Sequence, residues 1–168
     1  MINQKLEKAI NEQINAELYS AYLYLSMGAY FEEQGLSGFA NWMRVQFEEE
    51  QFHGLKFFDY LAERGGRVLL GAIEMPETEW ESPVAVFEEV LKHERHVTSL
   101  INNLIDIAIE ERDHASKSFL NWFIDEQVEE EAAAEDLLNQ LKLVEGDGRG
   151  ILMLDREMAS RTFTPPTA

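Results

Sequence analysis

Apolar residues recur at intervals of three and four along most of the chain, and breaks in that rhythm divide it into helical segments. The first covers residues 3 to 33. Leu6, Ile10, Ile14, Leu18, Ala21, Leu25 and Ala29 form one row, with Tyr24 and Phe31 in a second, which predicts a helix with a wide apolar face. Gly35 then supplies a C-terminal glycine and Ser37 an N-cap for the next helix. That second helix spans residues 38 to 64, with Phe39, Met43, Phe47, Phe57 and Leu61 along one side, and Gly65-Gly66 stops it. Ser82-Pro83 marks another start, as N-cap and first helical residue. The third helix covers residues 83 to 111, with Phe87, Leu91, Thr98, Ile101, Ile105 and Ala108 on its face. After the polar hinge Arg112-Asp113-His114, a fourth runs to about residue 144 through Phe119, Phe123, Ala134, Leu137 and Leu141. Gly146-Asp147-Gly148 breaks it, with Gly150 just beyond. A short amphipathic segment carrying Ile151, Leu154 and Met158 follows, and Thr164-Pro165-Pro166 ends the order.

Residues 65 to 82 form the one long connection. Extended, a stretch of that length reaches roughly 59 Å, against about 40 Å for the second helix, so it can cross the length of a bundle and join two parallel helices. The pattern predicts an all-α fold, a four-helix bundle with a long crossover between helices two and three and a short fifth C-terminal helix. At 168 residues the chain is expected to form a single domain over residues 1 to 168.

The inward rows are interrupted by polar groups near mid-helix. Glu17 stands where an apolar residue belongs in the first helix, between Ile14 or Gln13 and Ala21 and Tyr24. The second reads Phe39, Met43, Gln46, Glu50, His53, Phe57, the third has Glu94 between Leu91 or Val90 and Val97, and the fourth has Gln127 and Glu130 between Phe123 and Ala134. Glu50 and His53, three apart, point the same way. Measured from the first turn, Glu17 and Glu50 lie roughly 27 and 23 Å along their axes. From the second hinge, Glu94, Gln127 and Glu130 lie roughly 29, 21 and 26 Å away, so all six groups can meet in one slab.

A single charged residue on a helix usually lies on the solvated face, and a lone histidine is more often a satisfied core residue than a ligand. Agreement in row and height across four helices argues otherwise. Four buried carboxylates would not remain ionised together without a cation, and two divalent ions remove that penalty. Glu17, Glu50 and His53 are expected around one ion, and Glu50, Glu94 and Glu130 around the other, with Gln127 close by. Tyr24, two turns from Glu17, can donate an electron or hydrogen-bond a ligand. Glu126, Glu129 and Glu130 with Glu49 form a second acidic cluster, which is either a solvated run or a third metal site. His93, His96 and His114 are expected at the surface.

Composition narrows the chemistry. With no cysteine, a metal site must use carboxylate, imidazole or amide ligands, which suit iron(II), manganese or zinc better than copper(I). A net charge of −18 argues against nucleic acid or an anionic membrane as partner and suits a protein that attracts cations. Met1-Ile2-Asn3-Gln4-Lys5 leads straight into the amphipathic pattern, and no stretch reaches a membrane span, so the cytoplasm is the expected location.

The residues Asn15-Ala16-Glu17-Leu18-Tyr19-Ser20-Ala21-Tyr22-Leu23-Tyr24, Glu49-Glu50-Gln51-Phe52-His53, Glu94 and Trp122-Phe123-Ile124-Asp125-Glu126-Gln127-Val128-Glu129-Glu130 carry an end-to-end resemblance to the bacterial non-haem ferritins. The resemblance implies a hollow shell of twenty-four subunits, with a di-iron ferroxidase centre in each bundle and iron stored inside as a ferric mineral. Iron(II) is then the substrate and dioxygen or hydrogen peroxide the oxidant. It implies that Glu17, Glu50, His53, Glu94, Gln127 and Glu130 are the ligands of that centre. Glu49, Glu126, Glu129 and Glu130 match a third site, and Tyr24 matches a tyrosine near the centre. Bacterioferritins carry a second histidine three residues after a glutamate; here Val97 follows Glu94 and Glu130 follows Gln127, so haem is not expected. Glu110, Glu111 and Asp113 are candidates for an acidic pore. Two other classes stay open from the residues alone: an oxygen-activating dimetal enzyme acting on an organic substrate, and a helical scaffold with incidental acidic groups.

Overall fold

The computed structural model describes residues 1–166. Five helices follow in order, α1 (Gln4–Glu33), α2 (Ser37–Glu63), α3 (Pro83–Glu110), α4 (His114–Leu143) and α5 (Gly148–Met158). α1 packs along α2 and α3 along α4, each pair antiparallel, and α5 folds back onto α2. Asn3 Nδ2 donates to Glu111 at 2.8 Å and Lys5 pairs with Glu110, so the start of α1 meets the end of α3. α1 therefore runs against both α2 and α3, which makes α2 and α3 parallel.

The crossover climbs alongside α1. Asn11 donates to the Arg67 carbonyl and accepts from Leu69 N, Asn15 donates to the Ala72 carbonyl at 3.0 Å, and Ser26 donates to the Glu77 carbonyl at 2.6 Å. α1 thus supplies in order the polar side chains that a long irregular segment needs for its backbone. Trp80 closes the climb by packing edge-on against Tyr30 at 5.5 Å.

The helix ends follow the expected chemistry with two exceptions, Ser37 before α2 and Arg112, which takes a left-handed φ of 54° after α3. Gly35, Gly65 and Gly146 take left-handed φ angles of 73°, 72° and 81° where α1, α2 and α4 end. Ser82 accepts from Ala85 N with Pro83 behind it, and Asp113 and Asp147 cap α4 and α5. Ser37, expected as an N-cap, is instead the first residue of α2, and Leu36 offers no side-chain bond. The cap comes from α5: Asp155 Oδ1 accepts from Gly38 N at 2.8 Å and Phe39 N at 3.0 Å. Its carboxylate satisfies the orphan donors and matches the positive end of the helix dipole. Leu25 and Ala29, placed in the inward row of α1 from spacing alone, are exposed. Met27 and Gly28 face inward instead, beside Phe31 of the expected second row, because the helical period rotates the face away from a strict four-residue row.

Two apolar cores fill the bundle. One gathers Leu23, Met27, Phe31, Phe39, Met43, Phe87, Leu137 and Leu141 at the α5 end; the other gathers Leu6, Ile10, Ile14, Phe57, Leu61, Ile101, Leu120 and Phe123 at the opposite end. The gap between them is bridged by buried Gln13, Glu17, Ser20, Gln46, Glu50, His53, Glu94 and Gln127. Among the described residues no helix is long and apolar enough to cross a membrane.

Asp155→Ala should lower stability by about 1–2 kcal/mol, the ordinary worth of a lost N-cap. Gly38→Ala should cost more, since its Cβ would fall 1.6 Å from the Asp155 carbonyl oxygen and α5 would have to move. Denaturant unfolding of the two variants beside the parent checks the order.

Candidate metal centre

Each helix contributes to the slab from its middle, where the inward row passes between the two cores. Glu17, Glu50 and His53 present ligand atoms that all lie within 4.8 Å of one another, and all three are buried. His53 Nδ1 lies 3.4 Å from Glu50 Oε2. Glu17 Oε2 and Glu50 Oε2 are buried without a hydrogen-bond partner, although the other Glu17 oxygen is held: Gln13 Nε2 donates to Glu17 Oε1 at 2.8 Å. Two orphaned carboxylate oxygens beside an imidazole nitrogen fit a cation, which would supply the missing contacts.

The other face of the imidazole meets a second group. His53, Glu126 and Glu130 also bring ligand atoms within 4.8 Å, with His53 Nε2 at 3.9 Å from Glu126 Oε2. One ring nitrogen thus faces each group. The ring is fixed edge-on against Trp122 at 5.5 Å and Phe123 at 5.9 Å, which locks its orientation.

The expected second trio of Glu50, Glu94 and Glu130 is not drawn into one tight group. Glu94 is bonded on one side by the Tyr24 hydroxyl and on the other by Gln127 Nε2 at 3.2 Å. Glu130 accepts from Gln46 Nε2 at 2.9 Å, toward the outer side of the slab. Tyr24 hydrogen-bonds a candidate ligand, one of its two anticipated roles. Of the expected third-site residues, Glu49 is ion-paired to Arg161 at 2.8 Å, Glu126 is half-buried and Glu129 is exposed. Among the pore candidates, the Asp113 carboxylate is taken up by Arg64 at 2.8 Å and by Ser116 N at 2.9 Å, so it ties α2 to α4.

His93 departs from its expected surface position. It is partly buried, its Nε2 lies 2.7 Å from Ser20 Oγ, and its ring packs against Tyr19 and Tyr24. Burial and the neighbouring His96 lower its pKa to about 4, so it is neutral at pH 7. Being next to Glu94 in sequence, it lies at the edge of the inward face and turns toward α1, whereas His96 and His114 are exposed.

The ferritin-like domain family matches residues 7–144. The chain belongs to the ferritin family. It is 47% identical over 161 residues to a bacterial non-haem ferritin of Bacteroides fragilis, covering 96% of this chain and all of that one. It is 42% identical over 163 residues to that of Staphylococcus saprophyticus, covering 97% and 98%. Among solved structures, an engineered closed form of the Archaeoglobus fulgidus ferritin superposes with a TM-score of 0.97 at 52% identity, over 98% of this chain and 100% of that one. The open-pore ferritin of the same archaeon gives 0.95 at 52% identity, over 96% and 100%. Ferritins bind and store iron, and the Glu/His cluster of this ferritin is a group of side chains able to hold it.

Electrostatics in the slab follow from crowding in a dry place. Burial first, and then the neighbouring Glu50, push the Glu17 carboxyl well above its ordinary range. Burial, Glu94 and Glu130 do the same to Glu50. Burial raises Glu94 against the opposing bonds from Tyr24 and Gln127, and burial with Glu94 and Glu49 pushes Glu130 up to about 8. The Tyr24 phenol is raised as well, by burial and then Glu94, so it stays a donor.

Sequence reasoning gave no role to Gln13, Gln46 or Arg161. The two glutamines carried a usable signal, since each sits four residues before an inward glutamate, Glu17 or Glu50, and such pairs share a helix face. Arg161 carried none, because only the path of the chain after α5 brings it to the site.

Without a cation, the folded state holds more protons on these carboxyls than the unfolded chain does. Stability of the metal-free protein should therefore fall as pH rises from about 5 toward 9, by about 1.4 kcal/mol per pH unit for each extra proton held. Glu130→Gln removes one titrating group and should flatten the fall between about pH 5 and 8, which urea midpoints across that range would register.

Proposed function

We propose that this ferritin oxidises iron(II) at the slab and stores the product as a ferric mineral inside a shell of twenty-four copies. The observation that carries the reading is the pair of orphaned oxygens on Glu17 and Glu50 beside His53 Nδ1, in the middle of an otherwise sealed bundle. Glu17, Glu50 and His53 are assigned to the first iron. Glu50, Glu94 and Glu130 are assigned to the second, with Gln127 close by, and Glu130 must turn away from Gln46 to take part. The outer group around Glu126 and Glu130, with Glu49 and Glu129, is assigned to a third.

Iron(II) is the substrate, and two ions held together can supply both electrons that reduce dioxygen to hydrogen peroxide, with two protons taken up. Hard carboxylate oxygens favour the more highly charged iron(III), which promotes the oxidation. The protein's part is to exchange carboxyl protons for cations and to keep the ions apart from bulk water. Tyr24 steadies Glu94 by its hydrogen bond and stands close enough to be an electron donor. His53 gives the first position a nitrogen ligand that the second lacks, so the two positions are unequal.

Assembly is supported by what α1, α2 and the crossover leave uncovered. Tyr22, Leu25, Leu55, Ile73 and Met75 are exposed large apolar side chains, in keeping with a subunit contact. The relatives described as an open-pore ferritin and an engineered closed form fit a shell with openings. A net charge of −18 would draw iron(II) toward such openings. A cytoplasmic location and the absence of haem belong to the same reading.

Glu50→Ala and His53→Ala should each slow rapid iron(II) oxidation in air by about 10- to 100-fold, the usual scale of damage to a metal site. Stopped-flow absorbance of the ferric product measures this. A parent-like rate in either variant contradicts the assignment. The parent should also form an assembly of roughly half a megadalton by light scattering and retain amber iron; a small oligomer holding two metals per chain would point instead to an enzyme acting on an organic substrate.

A further inference from the structure

After α5 the chain turns back along α2. Asn41 Nδ2 donates to the Met158 carbonyl at 3.1 Å and to the Arg161 carbonyl at 3.0 Å, which pins the turn. Ala159, Ser160 and Arg161 donate their own amides to Asp155, Glu157 and Met158. Phe163 then reaches the Phe52 ring, 6.2 Å between centroids. This path lays the Arg161 guanidinium over the Trp42 ring at 4.6 Å and against the slab.

There Arg161 Nη2 donates to two acceptors. One is Glu49 Oε2, at 2.8 Å, and the other is Gln46 Oε1. Gln46 is wholly buried, and its Nε2 donates to Glu130 Oε2 at 2.9 Å. A guanidinium can only donate, so while it is present the Gln46 amide must turn its oxygen to Arg161 and its nitrogen to Glu130. A single tail residue thereby holds Glu49 directly and Glu130 through one amide. Both carboxylates lie beside the outer group, where buried His53 directs Nε2 toward Glu126.

We propose that Arg161 is a built-in competitor for cations: docking of the tail and full occupation of the outer carboxylate site, with Glu49 among the ligands, exclude one another. This rests on the reading of the slab as an iron centre. His53, Glu126 and Glu130 already offer ligand atoms to a divalent ion at the outer site, but it gains Glu49, and Glu130 released from Gln46, only when Arg161 leaves and the Gln46 amide rotates. The ion brings two positive charges where the guanidinium brings one, so a sufficient concentration displaces the tail. Because binding linkage is reciprocal, whatever loosens the tail must tighten the outer site by the same factor. The tail then sets the iron(II) level at which the outer position fills, and filling it frees the segment that covers it.

The test uses the full-length assembly and zinc(II), a redox-inert probe, so that no turnover is involved. Equilibrium dialysis counts zinc ions per chain and their affinities, while hydrogen exchange follows the amides of residues 159 to 161 with and without saturating zinc(II). Arg161→Gln should tighten the weakest-bound equivalent about tenfold. In the parent, zinc(II) at a level that fills that equivalent should speed exchange at the three amides. An unchanged weakest equivalent in Arg161→Gln, or tail exchange in the parent that zinc(II) leaves alone, overturns the proposal. So does a parent and variant that both stop at two tight ions. If the parent binds no zinc(II), the iron-centre reading falls with it, so the two failures are distinguishable.

Discussion

Four carboxyl groups and an imidazole share a layer of the bundle interior closed at both ends by apolar side chains. Their mutual repulsion and lost hydration are the constraint that the rest of the molecule accommodates. Burial raises the pKa of those carboxyls and so favours their neutral form; a cation among them would favour the ionised form. The helices are long because the slab must lie several turns from solvent at both ends. The crossover is long because the parallel arrangement of α2 and α3 brings Glu50 and Glu94 to the same depth.

Holding such a site requires support that is itself polar and satisfied. Gln13 steadies Glu17, Tyr24 and Gln127 steady Glu94, and Gln46 steadies Glu130. Glu17 Oε2 and Glu50 Oε2 remain buried and unpartnered among them. At the far end of α2, Arg64 donates to Asp113, Ser116 and Tyr60, and fixes α2 against α4 away from the slab. The bundle ends are thereby pinned by complete networks and its centre by an incomplete one.

Much of this is legible in the sequence. The five helices, the crossover and the mid-helix position of Glu17, Glu50, His53, Glu94, Gln127 and Glu130 all follow from periodicity and from turn residues with local chemistry. What escaped was tertiary. Ser37 has the chemistry of a cap, yet Asp155 performs it from more than a hundred residues away. Leu25 and Ala29 obey a four-residue spacing that drifts off the buried face, and His93 sits where a helical wheel is ambiguous between edge and surface. Glu130 is held by Gln46, whose orientation depends in turn on Arg161, and no local pattern encodes that chain of contacts.

Diffraction from crystals soaked in iron(II) without oxygen, with anomalous data at the iron edge, tests the central claim most directly. Two ions are expected between the apolar cores, with Glu17, Glu50 and His53 at roughly 2.0–2.2 Å from the first and Glu50, Glu94 and Glu130 at similar range from the second. Iron confined to exposed acidic residues, with Glu17 and Glu50 unmoved and still without partners, would contradict it.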